Sequence, residues 1–345
     1  MRTKLGTSLF FLGISCIILL VFSGLAFAQP KPIVWKLQTA YGSVTTCGAA
    51  GKAWAERVEK WTNGRLKVEW YEPSALCKIP DIVPGLSKGM FQASYQWGGY
   101  YSPKIPIGDI DAGVPMLSTK DTGVMWRLWY ERGFLDLVRD AYAKHNIFFL
   151  APNFFPDPYS YAFAGDVRNL EGFKGKKIRA VGMWTDLTRA LGAAPTSVPY
   201  AEIYMALKLG TVDGCMTCTV SGMMEYKHWE VVKSYFLPSL YYLADNITLN
   251  MDAWNALPKD IRDLLEEHTR YHFAEWTNRT QWMATLAEQK AKERGVKFYN
   301  YTPEEWETIK GKFMTVFDKL AQKDEYCAKA VPLVKDTLKE AGLLK

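Results

Sequence analysis

The chain has 345 residues, of which 48% are hydrophobic and 14% aromatic, and carries a formal net charge of +6. That length exceeds what one core normally supports, since single cores rarely grow past about 250 to 300 residues, so two domains are expected. No dense Lys/Arg patch interleaves with stacking aromatics, which argues against nucleic-acid binding.

The first 28 residues read as an export signal. Arg2 and Lys4 give a basic start, Leu9 to Val21 an apolar run, and Ala26-Phe27-Ala28 a small-residue cleavage site. A membrane anchor is the poorer reading, because Gly13 and Gly24 break the run; a lipid anchor at Cys16 is discounted because apolar residues continue past it. Cleavage after Ala28 would leave a periplasmic chain with 40 basic and 36 acidic residues, or +4. No later apolar run approaches the roughly 20 residues of a membrane helix. Five cysteines then remain, and Cys47 with Cys77, in expected loops beside the first strand-helix-strand unit, is the natural disulfide of an oxidising compartment.

Ile33, Trp35 and Leu37 alternate with Val34, Lys36 and Gln38 as a strand leading into the turn Tyr41-Gly42-Ser43. Trp54, Val58 and Trp61 mark one face of a helix that stops at Asn63-Gly64, and Leu66, Val68 and Trp70 mark a second strand. Asp81 to Lys88 reads as helix, Phe91 to Trp97 as strand, Thr119 to Arg139 as one long amphipathic helix and Phe148 to Ala151 as strand. Three prolines in Pro152 to Pro158 mark a crossover between domains. Strand-helix alternation continues through Lys176 to Val181, Met183 to Leu191, Ala201 to Leu209 and Val212 to Met216, which favours parallel α/β sheets. After Trp254 to Pro258 the chain is mostly helical, interrupted around Gly295 to Tyr301.

The densest pattern is Gly172-Phe173-Lys174-Gly175-Lys176-Lys177-Ile178-Arg179, then Gly192-Ala193-Ala194-Pro195, then Glu202-Ile203-Tyr204-Met205-Ala206-Leu207 running to Gly210 and Val212-Asp213-Gly214. In order and spacing it resembles the TRAP-type (DctP-family) periplasmic solute-binding proteins, and the likeness extends over nearly the whole chain after residue 28. The resemblance implies a two-lobed α/β binding protein (a Venus-flytrap) with hinge-connected lobes and long C-terminal helices. It places 29–152 and about 244–280 in one lobe, and 153–243 and 281–345 in the other. It implies no enzyme and no cofactor. The partners it implies are a small organic carboxylate and the small and large TRAP membrane subunits, with a homodimer in some relatives through the C-terminal helices.

For Arg179 the resemblance implies pairing with the ligand carboxylate, and a planar guanidinium is suited to that bidentate task. Where many relatives carry an acidic or amide residue after Val212-Asp213-Gly214, this chain has Cys215-Met216-Thr217-Cys218. Thr217 is the polar contact expected there, and no metal is expected in the cleft. Tyr241 and Tyr242 fall where keto-acid-binding relatives have tryptophans and a glutamate, so a mostly uncharged aromatic wall is expected. Tyr159, Tyr41, Gln96, Trp97 and Trp184 complete the expected lining. Together these favour an apolar or aromatic monocarboxylate over a 2-oxo acid or a dicarboxylate. Cys215 and Cys218 also allow a thiol oxidoreductase, although such pairs work best at a helix N-terminus. His268 and His272 lie four apart on an expected helix but lack the glutamate of a zinc-protease motif, so a solvated helix face is the reading.

Overall fold

Alternating burial along β1 (Ile33–Thr39) starts a first sheet that continues with β2 (Leu66–Tyr71), β3 (Ala93–Trp97), β4 (Gly113–Pro115) and β5 (Ile147–Phe155). The chain then builds a second sheet from β6 (Tyr159–Phe163), β7 (Lys177–Arg179), β8 (Ala194–Thr196), β9 (Gly214–Thr219) and β10 (Ser234–Leu237). It returns to the first sheet as β11 (Tyr241–Asn250) and to the second as β12 (Lys297–Asn300). The computed structural model describes residues 31–344; the side chains of Ala201, Thr217 and Cys218, and the expected export signal, lie outside the described residues.

The first sheet has the order β2-β1-β3-β11-β4, with β5 also paired to β11; the second runs β12-β10-β6-β9-β7-β8. Both are mixed rather than parallel, because the strands that return from the other sheet run backwards. β11 is antiparallel to β3, β4 and β5, and β6 is antiparallel to β9 and β10. Pro152 lies inside β5 instead of opening the crossover, which is tolerated because β5 pairs with β11 alone and proline has no N–H to offer a second neighbour. The crossover shortens to Pro156-Asp157-Pro158.

The expected single helix from Thr119 to Arg139 is also broken. A helix over Thr122–Trp126 passes into a wider turn at Arg127–Glu131 and ends before Gly133, whose φ of 79° is left-handed and starts a new helix, Phe134–Ala143. The helix Thr46–Trp61 forms as expected: Thr45 caps it by accepting the Gly48 N–H, and Trp54, Ala55 and Val58 are buried.

A 35-residue helix, Lys259–Glu293, ties the lobes together. Its buried residues, from Ile261 and Leu265 through Thr269 and Phe273 to Ala287 and Ala291, recur at three- and four-residue spacing. Trp54 Nε1 donates to Thr269 Oγ1 at 2.7 Å in the first lobe, whereas Ala287 and Ala291 pack with Ile203, Trp229 and Tyr235 in the second. His272, expected on a solvated face, is 2% exposed: its Nε2 lies 3.0 Å from the Ala50 carbonyl and its Nδ1 3.0 Å from Arg57, while His268 stacks on Trp61. No helix among the described residues is long and apolar enough to cross a membrane.

Candidate functional site

The carboxyl ends of β1, β3, β7 and β9 carry the residues that meet between the lobes, the place where open α/β sheets present ligand sites. Tyr41 follows β1, Tyr100 follows β3, Arg179 ends β7, and Glu225 and Tyr226 end the helix Val220–Glu225 that follows β9. Gly98 is needed to deliver Tyr100, since a Cβ there would fall 1.8 Å from Asp111 Oδ1. Across the cleft, Glu225 accepts the Thr46 N–H at 2.8 Å and the Thr46 hydroxyl, at the first turn of the opposite lobe's helix.

Arg179 is 5% exposed. Its Nε donates to the Val198 carbonyl at 2.9 Å and Nη1 approaches the Met216 carbonyl at 3.4 Å, with the guanidinium 5.9 Å from the Tyr200 ring. These contacts fix the plane of the guanidinium. The opposite lobe is close enough to feel its charge: desolvation pushes the Tyr100 phenol up to about 12 while Arg179 pulls it down, and Asp245 and Cys47 add to the rise.

Asp245 is fully buried on β11, on the face turned to the helix Thr46–Trp61. Tyr41 Oη donates to its Oδ1 at 2.8 Å, Tyr95 Oη to its Oδ2 at 3.3 Å, and the Cys47 thiol donates as well. Burial raises the carboxyl to about 7 against the pull of those three donors. Asn153, its register partner on β5, donates from Nδ2 to Tyr95 Oη at 2.7 Å, while the buried Asn153 Oδ1 has no hydrogen-bond partner among the described residues. A second buried acid, Asp157 in the crossover, accepts the Val220 N–H at 2.9 Å and the Ser221 N–H and hydroxyl, and burial lifts it too to about 7. Glu225 is raised for the same reason.

The expected lining therefore divides. Arg179 lies at the end of β7 and Tyr41 just after β1. Trp97, at the end of β3, donates from Nε1 to the Ala112 carbonyl at 3.0 Å and sets its ring edge-on to Tyr100. Tyr159, Trp184 and Tyr241 form one buried aromatic cluster with Phe313, at ring separations of 5.0 to 5.9 Å. Trp184 and Tyr241 are fully buried there, with the helix Pro303–Asp318 packed on the cluster through Phe313, and Trp184 Nε1 and Tyr241 Oη have no hydrogen-bond partner among the described residues. Tyr242 points to the other side of β11, its hydroxyl 2.6 Å from Thr122 Oγ1. Gln96 is buried beside the Tyr101 hydroxyl and opposite Asn246, again away from Asp245. The Thr217 side chain is outside the described residues.

Three further expectations change. Cys47 and Cys77 are free thiols, and Cys47 sits in the first helical turn, donating to Asp245. Beside the expected aromatic wall stand two buried acids, Asp245 and Asp157, and a half-buried one, Glu225, which sequence reasoning passed over. An acid inside the apolar run Tyr241 to Leu249 was the available signal. Cys215 is buried mid-strand in the second-lobe core, not at a helix N-terminus, which removes the support for a redox pair with Cys218.

A family model described as bacterial extracellular solute-binding protein, family 7, matches residues 38–324. The chain is 27% identical over 307 residues to a C4-dicarboxylate-binding periplasmic protein of Rhodobacter capsulatus, covering 86% of this chain and 89% of that one. It is 21% identical over 292 residues to a monocarboxylate 2-oxoacid-binding periplasmic protein of Nostoc sp., covering 84% and 80%. Among solved structures it superimposes with a TM-score of 0.81 on a TRAP transporter solute-binding protein from Bordetella bronchiseptica, described with calcium and picolinate, at 18% identity over 91% of this chain and 94% of that one. With its two α/β lobes and long C-terminal helices, the chain belongs to family 7 of the bacterial extracellular solute-binding proteins, the binding subunits of TRAP-type transporters.

Proposed function

We propose that this protein, exported by its N-terminal segment, captures a small organic carboxylate between its lobes and presents the closed form to the small and large TRAP membrane subunits. The observation that carries the reading is the placement of Arg179. Its guanidinium is buried and oriented by carbonyl oxygens of its own lobe, yet lies within electrostatic reach of Tyr100 on the other. A carboxylate bound there touches both lobes only when the cleft is shut, and a ligand shifts such an equilibrium through its preference for one state. Tyr41, Tyr100, Tyr200, Tyr226 and Trp97 give the surroundings an aromatic character suited to an apolar or aromatic body.

Calorimetry against a panel of monocarboxylates, 2-oxo acids and dicarboxylates tests the reading. For a ligand so identified, Arg179→Ala leaves a desolvated carboxylate unpaired, which costs about 3 to 5 kcal/mol, or at least about a hundredfold in Kd. An unchanged Kd overturns it. Native mass spectrometry of freshly purified protein identifies any acid carried through purification.

A further inference from the structure

Asp245 faces the cleft end of the first sheet, but every group that holds it is neutral: two phenols and a thiol. A buried carboxylate held only by neutral donors is costly, and a cationic partner removes much of that cost. Beside it, Asn153 Oδ1 is an orphan acceptor, fully buried and linked to Asp245 through Tyr95. Native structures leave few such atoms without a donor. Two features at one place, a buried carboxyl without a cation and an acceptor without a donor, thus call for the same chemistry.

The balance of charge across the cleft points the same way. Half-buried Glu225 and buried Asp157 are further acids near Asp245, all three raising the Cys47 thiol beside it. A plain carboxylate pairing with Arg179 would add a fourth acidic group to this region. A ligand that also carries an ammonium group adds no net charge, and three N–H donors on one centre match the oxygens of Asp245 and Asn153.

We infer that the ligand is a zwitterion, an amino acid with an apolar or aromatic body, whose carboxylate is taken by Arg179 and whose ammonium is taken by Asp245 together with Asn153 Oδ1. This rests on the proposed carboxylate capture at Arg179 and names its substrate class more closely. It makes Asp245 and Asn153 the residues that discriminate amino acids from simple acids. Specificity of this kind is strong because the analogue without the amino group leaves buried polar atoms unpaired.

The test is calorimetry on the purified protein with acids matched in all but the amino group: phenylalanine against 3-phenylpropionate, leucine against 4-methylpentanoate, pipecolate against cyclohexanecarboxylate, and 4-aminobutyrate against butyrate. In at least one pair the amino member is expected to bind at least about tenfold tighter. Asp245→Asn and Asn153→Leu should each erase that advantage, weakening the amino member at least about tenfold relative to its matched simple acid, and Arg179→Ala should weaken both members. The two variants lie on different strands, and a melting curve shows which is folded, so either alone supplies the reading. Equal affinity within every pair overturns the inference, as does a loss in both variants that falls equally on both members. A simple acid that binds best and takes up a proton, seen as heats that vary with buffer ionisation enthalpy, also overturns it, because Asp245 is then neutralised and not paired. If Arg179→Ala leaves the Kd of a bound acid unchanged, the underlying carboxylate reading fails instead.

Discussion

The Thr46 backbone N–H and the Glu225 carboxylate, 2.8 Å apart, join the first turn of a helix in one lobe to the last residue of a helix in the other. Helix N-termini leave N–H groups without intrahelical partners and attract negative charge. Glu225 satisfies one of them and so ties the two helices together. Glu225→Gln is expected to weaken closure by about 1 kcal/mol, read as an about fivefold rise in ligand Kd by calorimetry. Small-angle scattering of the ligand-free variant should show a larger radius of gyration than the parent.

Arg179→Lys separates charge from shape. A lysine keeps the positive charge but cannot present two parallel donors, so its binding should fall between the parent and Arg179→Ala, about tenfold weaker than the parent. A lysine variant as weak as alanine would show that the planar fork carries the recognition.

Trp184 should behave as core and not as lining. It is fully buried between Tyr159, Tyr241 and Phe313. Trp184→Ala should cost about 3 to 5 kcal/mol in urea unfolding. Trp184→Phe, which keeps an aromatic ring, should melt lower yet bind ligand within about twofold of the parent, whereas a lining residue would move the Kd first.

Stability should depend on pH through Asp157 and Asp245, both raised from 3.8 to about 7. The folded chain holds these protons more tightly than the unfolded chain. Their contribution is therefore full below about pH 4 and is lost as the pH rises through 7. His272, lowered to about 4 by burial, works in the opposite sense: its contribution is present above 6.5 and lost as the pH falls toward 4. Comparing the parent with Asp245→Asn cancels the histidine. Between pH 5 and 8 the parent should lose about 2 to 3 kcal/mol more than this variant in denaturant titrations of ligand-free protein. Parallel slopes would contradict this.

The Trp54 to Thr269 bond links the helices Thr46–Trp61 and Lys259–Glu293 inside the first lobe. Thr269→Val keeps the shape but strands a buried indole N–H, at a cost of about 1 to 3 kcal/mol. Thr269→Ser, which retains the hydroxyl, should recover most of it in the same unfolding measurement.

Much of the architecture was legible because local rules and tertiary demands agree along this chain. The alternation of Trp35 and Leu37, the spacing of Trp54 and Val58, and the stop at Asn63-Gly64 each state one periodicity or one turn, and the structure keeps all three. The position of Arg179 at a strand end was legible because its motif is continuous in sequence. The aromatic residues were not separable in advance, since a ligand wall and a packed core use the same side chains, and Trp184 and Tyr241 are fully buried. Asp245 was obscured by its neighbours, because an isolated acid in an apolar strand gains meaning only from what lies opposite.

The sequence by itself determined the two-lobed α/β plan, the long C-terminal helices and the arginine at the end of β7, for these follow from periodicity, turn residues and one contiguous motif. Only the tertiary structure decided which strands run backwards, that Cys47 donates to Asp245 and not to a disulfide, and that Tyr41, Asn153, Glu225 and Asp245 come together. Those residues are separated by up to 204 positions in the chain. Burial, pairing and charge balance act through space, and the order of residues along the chain carries no record of the distances that set them.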